Sequence, residues 1–190
     1  MEKILLIDGN SVLFRAFYAT YYNGEVMKTS FGVHTNAIYA FANMLNKALK
    51  LIKPDYCCVA FDKGKATFRH QISPDYKAGR RETPEELVEQ FKLVREMLDA
   101  YNIKYLEYDE IEADDIIGIL SKKFDIETAI FSSDHDLFQL IDDKNNTKVY
   151  CMKKGMSDIR SVAPDIASQA HIKPCYCPSP RGKGGPLRGG

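Results

Sequence analysis

Four short apolar runs divide the first 131 residues, and each ends on an acid or within three residues of one. Residues 3–8 read Lys-Ile-Leu-Leu-Ile-Asp and lead into Gly9-Asn10, the pattern of a buried strand ending in a turn. Residues 56–61 stop at Asp62, residues 103–108 lead into Asp109, and residues 128–131 end at Ser132-Ser133-Asp134. Strands that are apolar almost throughout predict a sheet covered on both faces. Between them the period lengthens. Thr83-Pro84-Glu85-Glu86 has the form of a capping box with proline at the first helical position, and Leu87, Phe91, Val94, Leu98 and Tyr101 then share one helical face. Residues 35–52 repeat the pattern with Ile38, Phe41, Leu45, Leu49 and Ile52 until Lys53-Pro54-Asp55 stops it. Residues 113–124 form a third helical pattern, and residues 136–141 begin a fourth. Alternating strands and helices predict an α/β fold, with a mostly parallel central sheet and helices on both faces.

Composition narrows the picture. With 190 residues, 45% apolar and 27% charged, the chain fits one globular domain rather than a disordered or collagen-like protein. No apolar run approaches the roughly 18–20 residues of a membrane helix, and the opening resembles a core strand more than a signal peptide. A soluble, cytoplasmic monomer without a membrane partner is expected. The five cysteines include no CxxC pair and no zinc-like spacing with histidine, so free thiols are expected. Residues 160–190 hold five Pro and five Gly, which predicts a poorly ordered tail after a folded unit of residues 1–159.

Formal net charge is zero, which does not suit a protein that simply coats phosphates. Its distribution is uneven. Residues 63–81 carry six Lys or Arg against Asp75 alone, whereas residues 107–115 carry six acids and no base.

The acids suggest the chemistry. Asp8, Asp62 and Asp134 each follow an apolar strand, and the carboxyl ends of strands line the ligand crevice of open α/β sheets. Glu112-Ala113-Asp114-Asp115 opens a helix, so Glu112 and Asp115 are expected on one face with Asp114 turned away; Asp136 adds another carboxylate two positions after Asp134. A single Asp after a strand is often a turn former or cap, but capping needs one acid and not a run. So many converging carboxylates would repel unless cations neutralised them, and ligands that are all oxygen point to magnesium or manganese. Two such ions have one common use, in phosphodiester hydrolysis. The basic segment complements them: in Phe68-Arg69 and Tyr76-Lys77-Ala78-Gly79-Arg80-Arg81, cations alternate with aromatics that could clamp phosphates and stack a base.

These residues resemble the 5′-nuclease domain of bacterial DNA polymerase I and its stand-alone relatives in the flap endonuclease superfamily. The likeness runs over residues 1–157. It rests on Leu6-Ile7-Asp8-Gly9-Asn10 with Phe14-Arg15-Ala16-Phe17-Tyr18-Ala19, on Phe61-Asp62, Phe68-Arg69 and Tyr76-Lys77-Ala78-Gly79-Arg80, and on Glu112-Ala113-Asp114-Asp115 and Ser133-Asp134-His135-Asp136-Leu137. The resemblance implies a metal-dependent enzyme with a PIN-like core that cuts DNA at 5′ ends and flaps, RNA–DNA hybrids being a further substrate. Asp8, Asp62, Glu112, Asp114 and Asp115 would serve one metal ion, and Asp134 and Asp136 a second. Lys77 and Arg80 would be catalytic contacts to the scissile phosphate. Arg15, Arg69, Tyr76 and Arg81 would join them in binding DNA. After Met156 the family's Gly-Asp-x-x-Asp-Asn motif and helix-two-turn-helix element are not found, which implies a weakened enzyme. A PIN-type ribonuclease and an inactive nucleic-acid-binding remnant are the competing readings.

Overall fold

The computed structural model describes residues 1–21, 26–63, 82–152 and 159–162. The described residues build one six-stranded sheet in the order β3-β2-β1-β4-β5-β6. Its strands are β1 (Lys3–Asp8), β2 (Tyr56–Ala60), β3 (Lys104–Leu106), β4 (Glu127–Phe131), β5 (Thr147–Met152) and β6 (Ile159–Ser161). All neighbours pair in parallel except β5 and β6. The helices are α1 (Gly9–Thr20), α2 (Asn36–Ile52), α3 (Glu85–Ala100) and α4 (Ala113–Lys123), with a 3-10 helix at His135–Leu140.

Apolar residues on both sides of each central strand explain the layering. Leu5 and Ile7 of β1 join Val59, Phe61, Ala129 and Phe131 in a core with α1, α2 and α3. Ile4 and Leu6 of the same strand face the other way, packing with Ile130 and Val149 against α4 and the 3-10 helix. The expected two-sided cover is present. From β1 the chain moves out to β2 and β3, then returns to the far side of β1 with β4 and β5. The order therefore reverses between β1 and β4, where open parallel sheets leave a crevice at their carboxyl ends.

Several elements differ from the pattern expected of the sequence. Gly9-Asn10 is the first turn of α1, capped by Asp8, and not a turn between elements. Gly9 is required by contact: a Cβ there would lie 2.4 Å from the Phe61 ring. The capping box at Thr83 does not form. Pro84 is the N-cap of α3, no side chain bonds that end, and the Leu87 and Val88 amides donate to the Pro84 carbonyl at 2.9 and 3.1 Å. α2 receives its cap from another helix, because Gln90 Oε1 accepts the Ala37 and Ile38 amides at 2.8 and 3.1 Å. It stops where Lys53 turns left-handed, its amide donating to the Leu49 carbonyl at 2.9 Å. The expected fourth helix is a 3-10 turn, and β5 and β6 add strands that were not expected. β6 spans the composition change at 159–160, and residues 163–190 lie outside the described residues. Among the described residues Cys57, Cys58 and Cys151 are free and half-buried. No helix of the described residues is long and apolar enough to cross a membrane.

Candidate functional site

At the carboxyl edge of the sheet, β1, β2, β4 and the start of α4 surround an open crevice of about 480 Å3. Five acids line it: Asp8, Asp62, Glu112, Asp114 and Asp134. Asp8 ends β1 and is 4% exposed. Its Oδ1 accepts the Ser11 amide at 3.0 Å, and its Oδ2 accepts the Ser132 hydroxyl at 2.8 Å. Asp62 follows Phe61 at the end of β2 and is also held on both oxygens, by Asn10 Nδ2 at 3.0 Å and by the Ala113 amide of α4 at 2.7 Å. That last bond ties β2 to the N-terminus of α4, where two more acids stand. Glu112 is the buried N-cap and Asp114 lies in the first turn. Asp134 caps the 3-10 helix, its Oδ1 accepting the Asp136 amide at 3.0 Å.

Burial is the main influence on Asp8, pushing its pKa up to about 6; the Ser11 and Ser132 hydrogen bonds oppose this, while the charges of Asp62 and Asp134 add to it. Converging negative charge is therefore already felt by the most buried acid. A cation in the crevice would reverse the like-charge part of that penalty. The donor set fits a hard divalent cation, since all five carboxylates offer oxygen and the opening admits water to complete a coordination shell. Among the described residues, no group of three or more His, Cys, Asp or Glu side chains is arranged as a ready-made metal site. The four oxygens of Asp8 and Asp62 all engage protein donors. These acids are held in place around the crevice, with lone pairs to spare for a further partner.

A family model described as 5′-3′ exonuclease, N-terminal resolvase-like domain, matches residues 3–169. The chain belongs to this exonuclease family. It is 46% identical over 178 residues to DNA polymerase I of Bacillus subtilis (strain 168), covering 92% of this chain and 19% of that protein. DNA polymerase I of Streptococcus pneumoniae (strain ATCC BAA-255 / R6) is 47% identical over 169 residues, covering 86% of this chain and again 19% of the relative. The chain thus spans about a fifth of the length of these relatives. Among solved structures, T5 5′-exonuclease with bound divalent metal ions (zinc) superposes with a TM-score of 0.62 at 19% identity, covering 90% of this chain and 61% of that one. Flap endonuclease-1 from Methanococcus jannaschii gives 0.54 at 16% identity, covering 90% and 60%. The fold is that of the PIN-like flap nucleases.

The chain brings together Asp8, Asp62, Glu112, Asp114 and Asp134. Asp115 is half-buried and Asp136 exposed, and neither lines the crevice. The expected pairing of Glu112 with Asp115 is corrected to Glu112 with Asp114. Glu112 is an extended N-cap (φ −82°, ψ 156°), so helical spacing starts only after it. Arg15 lies half-buried on α1, outside the lining. Arg69, Tyr76, Lys77, Arg80 and Arg81 lie outside the described residues. Four polar residues gained no role from the sequence pattern: Asn10 orients Asp62, Ser11 and Ser132 hold Asp8, and His135 forms part of the wall. His135 also places an imidazole beside a crevice that was expected to offer oxygen alone.

Proposed function

We propose that this exonuclease domain hydrolyses phosphodiester bonds of DNA at 5′ ends and 5′ flaps, using magnesium or manganese, two ions in all, held in the carboxylate crevice. The observation that carries this reading is the convergence of five acids from three strand ends and one helix start on one open cavity. Structural helix capping would need one acid at each element and no shared cavity. Bound divalent ions supply activation of water and neutralisation of charge on the phosphate. The chain's own part is to hold the carboxylates in fixed positions. Asp8 and Asp62 are clamped on both oxygens, and Asp134 is fixed through its backbone amide and its cap.

Asp115 and Asp136 belong to this proposal as outer acids that lower the potential at the crevice mouth. Lys77 and Arg80 would face the scissile phosphate, with Arg15, Arg69, Tyr76 and Arg81 guiding the strand. RNA–DNA hybrids would be accepted, and a monomer would suffice because every crevice acid comes from one chain.

A 5′-labelled flapped duplex provides the test. Cleavage is expected with magnesium and absent in EDTA, and Asp134→Asn should lower turnover by orders of magnitude without lowering the melting temperature. Undiminished cleavage in EDTA, or by Asp134→Asn, would overturn the proposal.

A further inference from the structure

The last registered pair between β1 and β4 joins Ile7 to Phe131. The next residues, Asp8 and Ser132, are where the ladder between these strands gives way to side chains. Ser132 is wholly buried; its Oγ gives its single proton to Asp8 Oδ2 at 2.8 Å and accepts the Asp134 amide at 2.9 Å. Ser11 binds from the other side through its backbone. Its amide donates to Asp8 Oδ1 at 3.0 Å, and its Oγ accepts the Ser133 amide at 3.1 Å. The bonds close a ring: Asp8, Ser132, the chain to Ser133, Ser11 and back to Asp8.

We propose that Ser11 and Ser132 form a clasp that sets the spacing of Asp8 and Asp134 for metal binding, as positioning residues that never touch the metal. This rests on the metal reading above. Two features argue for it over a general brace. The clasp lies at the point where the strand order reverses, and among the described residues its hydroxyls bond the Asp8 carboxylate and the Ser133 and Asp134 amides. The Ser132 hydroxyl is also fully used, one proton out and one amide in, so Asp8 cannot turn on its Cα–Cβ bond without leaving a buried hydroxyl unpaired. Partners that orient a metal ligand in this way are typically worth about 10–100-fold in metal affinity.

The experiment measures Mn2+ alone, by the loss of the free-ion electron paramagnetic resonance signal, with wild type, Ser11→Ala, Ser132→Ala, the double variant and Ser11→Thr. Each alanine should weaken Mn2+ binding by about 10–100-fold. The double variant should be far less than the product of the singles, because either change opens the same ring. Ser11→Thr should keep wild-type affinity, since its hydroxyl still accepts the Ser133 amide. In flap cleavage, the metal concentration giving half-maximal rate should rise while the rate at saturating metal changes little. Ser11→Ala covers the case in which Ser132→Ala does not fold. If wild type binds Mn2+ and both alanine variants bind it equally well, the clasp is only a brace and the inference fails alone. If wild type binds no Mn2+, the metal reading fails and takes the clasp with it.

Discussion

Asp8→Asn should make the metal-free protein more stable at neutral pH and less able to gain stability from a divalent ion. In the fold the Asp8 carboxyl has a pKa near 6, against 3.8 for the free group, mainly because it is buried. A difference of about two units corresponds to roughly 3 kcal/mol, the penalty of keeping this buried group charged. A carboxyl whose pKa is raised by folding takes stability away as pH climbs. Below pH 4 it is protonated in both states and contributes nothing. Between pH 4 and 6 the folded state resists losing the proton, and above pH 6 the whole penalty is present. Asparagine removes it. The Asn side chain can still accept the Ser11 amide through oxygen, but its NH2 must now donate to the Ser132 hydroxyl, which was a donor to Asp8. Rearranging that bond costs about 1–2 kcal/mol, leaving a net gain of about 1–2 kcal/mol. At this chain length 1 kcal/mol is worth roughly 2–4 °C in melting temperature.

The measurement is thermal or urea unfolding of wild type and Asp8→Asn in EDTA, at pH 4 and at pH 7.5, and again at pH 7.5 with magnesium. The variant should lead at pH 7.5 in EDTA, lose its lead at pH 4, and fall behind when magnesium is added. Because both proteins share every other titrating group, their difference isolates Asp8. A variant less stable than wild type at pH 7.5 in EDTA, or an advantage of the same size at both pH values, would refute the reasoning.

Two further outcomes concern the frame around the crevice. Gly9→Ala would ordinarily help a helix by up to about 1 kcal/mol, but its Cβ would meet the buried Phe61 ring at 2.4 Å, with the Arg95 guanidinium stacked 4.5 Å from the ring centroid. Overpacking should win, lowering stability by about 1–3 kcal/mol in urea unfolding. Gln90→Leu strips the cap from α2 and the partner from Asn36 Oδ1, leaving two amides and a carbonyl oxygen buried without bonds. About 2–4 kcal/mol should be lost, and amide exchange at Ala37 and Ile38 should speed up before the sheet core is affected.

Much of this site was legible because a parallel α/β sheet marks its own ligand edge. Where an apolar run stops at an acid, that acid sits at the carboxyl end, and Asp8, Asp62 and Asp134 meet there as expected. The legibility ended where a residue's partner is distant in sequence. Ser132 reads as one more polar residue after a strand, and nothing local says that it bonds Asp8, 124 positions earlier. The Glu112 cluster was misjudged for a local reason, since helical periodicity was applied to a residue that is a cap. Gln90 did leave a signal. It sits on the same helical stripe as the buried Leu87, Val94 and Leu98, and a lone amide there must find buried partners.

Three of the missed residues, Asn10, Ser11 and Ser132, share one physical property, which explains why the crevice can exist. Five acids around one cavity repel, and Asp8 shows it. An isolated protein could relieve that strain by letting the acids swing outward into water. Here the neutral donors Asn10, Ser11, Ser132 and the Ala113 amide hold the two acids at the ends of β1 and β2 on both oxygens. Neutral groups accomplish this where cations could not. A lysine or arginine in the crevice would satisfy the carboxylates and remove the reason for a divalent ion to bind, whereas amides and hydroxyls fix their direction and leave their charge. Among the described residues no lysine or arginine lines the crevice. Lys63 pairs with Asp109 at 3.0 Å on the surface, and Arg95 pairs with Glu107 behind Phe61, neither lining the crevice. Negative charge held rigid by neutral donors is what a site needs if its neutralising charge is to arrive from solution.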